Sequence, residues 1–276
     1  MKRVLVLSEK GGVGKSFVSA NVIAPAMYTA TKERVKLAEI DASNYTTEFY
    51  KNSLYLEAET IAVNIDTQKV KDEDFLAFLE NDDIEIENST TDEKNIYKEI
   101  ERAINEIVKR DFNIIDVGAN ATIVFLNTLI KKQLISYFDF IFLVATTNIN
   151  EISLSTKSYE ILRDNNYDIN KIFFVINKYS SSIEDKLKHF EYLTDKNTIR
   201  VKEFEEYNSK VMPAKLTIFD LILKYKEEEQ RQELDKYIRE QNKEMIDKIA
   251  NRLLLLNKAK LFYYNNDFKR IVNLFK

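Results

Sequence analysis

Three of the chain's four glycines fall in one nine-residue stretch, SEKGGVGKS (residues 8–16), and the fourth, Gly118, closes a second short motif, NIIDVG. A chain this sparing of glycine places it where side chains would obstruct. Gly11, Gly12 and Gly14, with Val13 among them, offer a run of bare backbone whose N–H groups can converge on a polyphosphate. Lys15 has the reach to meet terminal phosphates, and Ser16 can offer its hydroxyl to Mg2+. A helix starting here adds partial positive charge at its amino end. Phe17 follows directly and joins the expected binding set. The usual phosphate-loop pattern, G-x-x-x-x-G-K-[ST], has glycine where this chain has Glu9.

Such a loop works only between a strand and a helix, and the flanking sequence predicts both. RVLVLS (3–8) is a short apolar run expected to be a buried strand. SFVSANVIAPAMYTATKE (16–33) reads as a helix that Pro25 must bend, since proline removes a backbone hydrogen bond. Further strands are expected at 34–41, in FNIIDVG, at 138–147, at 171–178 and at 198–202. Helices are expected at 92–110, in ATIVFLNTLIKKQLISY, in NEISLSTKSYEILRDNN and at 183–193. Residues 42–90 are turn-rich and acidic and give no clear element. Apolar strands alternating with helices indicate an α/β fold with a mostly parallel sheet covered on both faces. The phosphate-loop domain is expected over 1–214. A C-terminal helical extension is expected over 215–276, most of which lacks glycine and proline and favours helix throughout.

The segment KGGVGKS resembles the deviant Walker A motif of the ParA/MinD family of P-loop ATPases. The resemblance covers about residues 2–215 and implies ATP and Mg2+ as ligands. It implies that Lys10 is the signature lysine that crosses a dimer interface to the partner's nucleotide, so that ATP holds a homodimer together. The family's second strand ends in an acidic pair, filled here by Glu39 and Asp41. By that match Asp41 orients the attacking water and contacts the Mg2+ shell, while Ala42, Ser43 and Asn44 replace the family's frequent Pro-Gln-Gly. FNIIDVG fits Walker B, with Asp116 holding a Mg2+-bound water and Gly118 letting the following loop approach the γ-phosphate. Asn177 and Lys178 end a later strand, where the family's asparagine meets the adenine edge. Ser180 stands where GTPases carry the guanine-reading aspartate, so adenine is favoured. Met212 and Pro213, in SKVMPAK, are the expected contacts to the ring. Catalytic roles fall to Lys10, Lys15 and Asp41, and metal contacts to Ser16, Asp41 and Asp116.

Within that family, zero cysteines exclude the iron–sulfur branch, as well as disulfides and thiolate chemistry. The single His189 argues against a histidine-based metal site. The chain reads as cytoplasmic, with no stretch near ~20 consecutive apolar residues. With the first strand expected from residue 3, no DNA-reading domain is expected before it, which disfavours a sequence-specific repressor. What remains is an ATP-switched dimer that partitions or positions plasmid DNA or other cargo, stimulated by a ParB-like or other activator. Its surface is either nucleoid DNA or, MinD-like, a membrane. A different class stays open: a weakly hydrolysing ATP-binding accessory protein of plasmid stability or conjugation. Residues 252–276 carry six Lys/Arg against Asp267, on a chain of net charge −4. NDFKRIVNLFK puts Phe268, Ile271, Val272 and Phe275 on one face, which suits either a headgroup layer or a packed final helix.

Overall fold

The computed structural model describes residues 2–41, 45–63 and 91–276. Seven strands form one parallel sheet in the order β3-β2-β4-β1-β5-β6-β7. They are β1 (Val4–Leu7), β2 (Val35–Asp41), β3 (Leu56–Ala62), β4 (Ile114–Val117), β5 (Phe140–Ala145), β6 (Ile172–Asn177) and β7 (Thr198–Val201). β1 lies between β4 and β5, so the chain leaves its carboxyl end at the point where the winding reverses, the usual ligand edge of such sheets.

Alternation along β1 divides the core in two. Leu5 and Leu7 face a layer built on α4 (Thr91–Lys109), α5 (Thr122–Lys131) and α6 (Ile149–Asp164). Val4 and Val6 face α1 (Lys15–Val18), α2 (Ala24–Thr31) and the last helix, α11 (Asn266–Phe275). Strands with apolar residues on both faces need cover on both, which explains their near-continuous Val, Ile, Leu and Phe.

The helix expected at 16–33 is interrupted. Between α1 and α2 lies a π-turn, Ser19–Ile23, in which Ala24 donates its N–H to the Ser19 carbonyl. Pro25 has no N–H to give Ala20 or Asn21, and two tyrosine hydroxyls take those carbonyls instead. Tyr55 donates to Ala20 at 2.9 Å and Tyr263 donates to Asn21 at 2.9 Å. The expected bend is thereby a docking point for two distant segments.

β3 and the short helix α3 (Tyr45–Glu48) before it fall inside the stretch that gave no clear element. Ala42, Ser43 and Asn44, and most of the acidic run after 63, lie outside the described residues. The helix expected at 183–193 shrinks to α7 (Glu184–Leu187). Asn197 closes the chain beyond it, accepting from the Thr194 N–H at 2.8 Å and donating to the Tyr192 carbonyl at 2.8 Å. Such local bonds compete with helix. The C-terminal stretch is three further helices before α11: α8 (Ile218–Lys224), α9 (Glu227–Arg239) and α10 (Lys243–Tyr263).

Of the two alternatives for the C-terminal segment, α11 takes the packed final helix. Ile271, Val272 and Phe275 are buried in the core beside Met27 and Phe142, and half-buried Phe268 packs edge-on against Tyr263. Arg270 donates to the carbonyls of Asp195 and Thr198, both at 2.7 Å, which blunts the open edge of the sheet beside β7. The apolar face seen in the sequence is covered by protein. The basic tail is also largely engaged. Lys258 pairs with Glu206, Lys260 with Glu227, Arg270 with Asp267, and Arg252 lies over the Tyr225 ring. Among the described residues, no helix is long and apolar enough to cross a membrane.

Candidate nucleotide site

A cleft of about 360 Å³ opens at the carboxyl edge of β1, β2 and β4. Its walls are Gly11, Gly12, Gly14, Lys15, Ser16 and Phe17 on one side, and Glu39, Asp41, Asp116 and Gly118–Asn120 on the other. Sheet register brings the acids there. Asp116 sits opposite Val6 of β1 and Glu39 of β2, and Asp41 ends β2.

The loop backbone is shaped by two left-handed glycines, Gly12 at φ 81° and Gly14 at φ 89°. Around Gly11 and Gly12 nothing lies within 4 Å of where a Cβ would stand, so the backbone faces open space. Gly14 is the opposite case, since a Cβ there would meet Asn177 Nδ2 at 2.2 Å. That amide donates to the Val13 carbonyl at 2.8 Å and braces the loop from beneath. Gly118 is also confined. Its N–H donates to the Ile40 carbonyl at 2.7 Å, and a Cβ would stand 2.9 Å from that oxygen and 3.1 Å from the Asp41 carboxylate.

Lys15 is buried, and that burial pulls its ammonium below the ordinary lysine range, against the raising influence of Asp116, Asp41 and Glu39. Asp116 is buried as well, and desolvation lifts its carboxyl above the ordinary range despite the Lys15 ammonium. Its Oδ2 has no hydrogen-bond partner among the described residues. Ser16 donates its hydroxyl to Glu39 Oε1 at 3.2 Å. Among the described residues, no group of three or more His, Cys, Asp or Glu side chains is arranged to hold a metal ion by itself. An open oxygen on Asp116, a hydroxyl on Ser16 and bare amides opposite fit a magnesium nucleotide. Mg2+ keeps water and phosphate oxygens and needs only one or two protein ligands.

The other expected residues lie outside this lining. Lys10 is exposed at the loop's outer edge, its N–H accepted by the Ser8 hydroxyl at 3.2 Å. Val13 is buried beneath the loop. Asn177 is buried with its amide nitrogen committed to the loop, and Lys178 follows it in a left-handed conformation, φ 54°. Met212 and Pro213 form a short turn, Met212–Ala214, beyond Val211.

Three supports have no counterpart in the motif reading. Glu9 accepts from Ser158 Oγ at 2.8 Å, which ties the loop to α6 at the position where the pattern has glycine. Thr122 donates its hydroxyl to the Ser8 carbonyl at 2.9 Å. Buried Tyr50 donates to the Ser16 carbonyl at 3.2 Å and meets the Tyr207 hydroxyl at 3.1 Å, while the Tyr207 ring packs edge-on to Phe17. The hydroxyls of Ser158, Thr122 and Tyr50 are far in sequence from the loop they support, so no local pattern marks them.

The family description of the CobQ/CobB/MinD/ParA nucleotide binding domain matches residues 4–201. Comparison with curated proteins gives no match. Among solved structures, a putative plasmid partition protein from Borrelia burgdorferi B31 bound to AMPPNP is 17% identical. The alignment covers 93% of this chain and 98% of that one, with a TM-score of 0.47. A ParA family ATPase from Chlorobium tepidum is 13% identical over 94% and 99% of the two chains, TM-score 0.46. The MinD cell division protein of Aquifex aeolicus is 15% identical over 81% and 89%, TM-score 0.44.

Proposed function

This chain belongs to the CobQ/CobB/MinD/ParA nucleotide-binding family, and we propose that within it the protein works as a ParA-like ATPase. It is a slow, ATP-dependent dimerising switch that partitions or positions plasmid DNA or other cargo. The observation that carries this reading is the convergence of Lys15, Ser16, Asp41, Asp116 and Gly118 on one cleft opposite the bare Gly11–Gly12 backbone.

The division of labour follows from position. The Gly11–Gly14 amides and the start of α1 hold the phosphates, and Lys15 neutralises them from a buried, desolvated seat where its charge acts strongly. Ser16, Asp116 and Asp41 would hold the metal, Ser16 by its hydroxyl and the two aspartates by their carboxylates. Mg2+, when bound, screens charge developing on the phosphate oxygens. Asp41 accepts hydrogen bonds from the attacking water and sets it in line with the γ-phosphorus. Gly118, pressed against Asp41, fixes how closely the following loop approaches that point. Lys10, exposed at the rim, would reach beyond its own subunit to the partner's nucleotide. Asn177 keeps its brace on Val13, with Lys178, Met212 and Pro213 on the base side.

The partition reading stands ahead of the membrane reading because the apolar face of α11 is covered by the core. Measuring ATP hydrolysis with DNA and with anionic vesicles tests the choice. Stimulation by DNA supports partition, and stimulation by vesicles alone overturns it. Lys10→Ala is expected to bind Mg-ATP with affinity near that of the parent chain but to stay monomeric with it. Nucleotide-dependent dimers of that variant in sedimentation would remove Lys10 from the proposed interface.

A further inference from the structure

Helix α10 buries one side through Ile249, Leu256, Ala259 and Tyr263 and leaves the opposite side in solvent. On that open side Ala250, Leu254, Asn257, Leu261 and Tyr264, the last at the helix's carboxyl cap, follow one another at steps of four, three, four and three residues. Leu254, Leu261 and Tyr264 are 53%, 70% and 77% exposed, with the Lys269 ammonium 5.0 Å from the centre of the Tyr264 ring at the end of the stripe. The residues exposed beside them, Asn251, Asn265 and Asn266, are neutral too. Every exposed residue from 250 to 266 is therefore uncharged, in a chain whose residues are 31% charged. A helix face that simply meets water would carry charge. The three cations of this span are half-buried and turned to other partners: Arg252 to Tyr225, Lys258 to Glu206 and Lys260 to Glu227.

We propose that this stripe is a self-association surface, through which two copies of the chain pair α10 to α10 with Asn257 at the two-fold axis. Alternating four and three steps are the spacing of a helix–helix seam. Three properties select a second copy as occupant. From Ala250 to Leu261 the exposed stripe is neutral, so two copies meet there without repulsion, whereas a charged strip from another partner would be desolvated against leucine with no counter-charge. Asn257 interrupts the apolar row, and an amide offers both donor and acceptor, which an identical amide across a two-fold satisfies. Such a residue also fixes register in paired helices. The area fits a weak contact. A seam of ~15 residues is ~22 Å long and covers about 900 Å² over both sides, at the low end for specific association.

The contact does not depend on nucleotide, so it stands or falls apart from the proposed ATPase switch. If the ATP-held dimer also forms, a second two-fold contact in each chain links dimers onward into longer assemblies.

Sedimentation velocity without nucleotide, from about 5 to about 200 µM, is the test. The parent chain is expected to move from 32.4 kDa toward twice that mass as concentration rises. Leu254→Glu and Leu261→Glu are expected to remain monomeric at the highest concentration with unchanged circular dichroism, since both side chains are exposed. The chain has no cysteine, so Asn257→Cys introduces a single thiol that should give a covalent dimer on mild oxidation, while Glu233→Cys on the exposed side of α9 should not. A parent chain that stays monomeric throughout overturns the proposal. So does association that survives both glutamates, or cross-linking at 233 as fast as at 257. Loss of DNA or vesicle binding by Leu261→Glu, with a monomeric parent, would assign the stripe to that other partner instead.

Discussion

Asp116 and Asp220 have the same side chain and the same near-total burial, at 1% and 0% exposure. Asp220 spends its whole bonding capacity on the fold. Its Oδ1 accepts from the Ser53 hydroxyl at 3.1 Å and the Leu54 N–H at 2.8 Å. Its Oδ2 accepts from the Thr217 N–H and hydroxyl, both at 2.8 Å, and closes the capping box that starts α8. Asp116 keeps Oδ2 without a partner among the described residues and faces a cleft. A buried acid with its bonds complete is a fastener; one with an oxygen left over is available to a ligand. Burial alone separates neither.

The largest effect expected from this contrast is on Asp220. Asp220→Ala removes four accepted bonds at once and strands buried donors, so stability should fall by about 3–5 kcal/mol. Urea unfolding measures this, and nucleotide affinity per folded molecule should change little. A variant of parent stability that no longer binds ATP would reverse the assignment. Asp116→Ala is the mirror image. ATP turnover should fall about 100-fold, the scale of one removed electrostatic contact, while the unfolding midpoint moves far less than for Asp220→Ala. A lost fold with unimpaired turnover per folded molecule would break the contrast from the other side. Tyr263→Phe is smaller. It deprives the Asn21 carbonyl of its hydroxyl donor and should cost about 1 kcal/mol, read by the same unfolding assay.

How much of this was legible in the sequence depends on whether a residue's work is local. SEKGGVGKS, FNIIDVG and the Glu39–Asp41 strand end are each readable because the chemistry, the turn and the strand lie within a few residues. The structure draws their side chains into one cleft. β3 was not legible because LEAETIA mixes Glu and Ala with few β-branched residues; it is a strand at the sheet's edge, held by its register with β2. The apolar face of α11 was visible as a periodicity, but periodicity does not say whether lipid or Met27 covers it. Pro25 announced a bend. That the bend becomes a π-turn whose carbonyls receive Tyr55 and Tyr263 depends on residues 30 and more than 200 positions away. Asn177 shows the same limit. Its place at a strand end was clear, whereas its bond to Val13 requires the loop to fold back over it.

The finest test of the contrast uses protons. Burial lowers the Lys15 pKa, with the neighbouring acids opposing the shift, so in the nucleotide-free protein this ammonium gives up its proton at lower pH than a free lysine. Linkage fixes the sign. Between the lowered value and the ordinary lysine range, the unfolded chain binds more protons than the folded one, so the penalty for burying this charge is present in full below the lowered value and fades as pH rises through that window. Nucleotide affinity runs the opposite way. A triphosphate favours the ammonium, so affinity should fall as pH rises through the lowered value, and binding there should take up a proton. Titration calorimetry of Mg-ATP in two buffers of different ionisation enthalpy reads that uptake directly. It should vanish in Lys15→Met and persist in Asp220→Asn, whose acid touches only the fold. Equal uptake by the parent chain and Lys15→Met would place the titrating group elsewhere and separate the buried lysine from the phosphate seat.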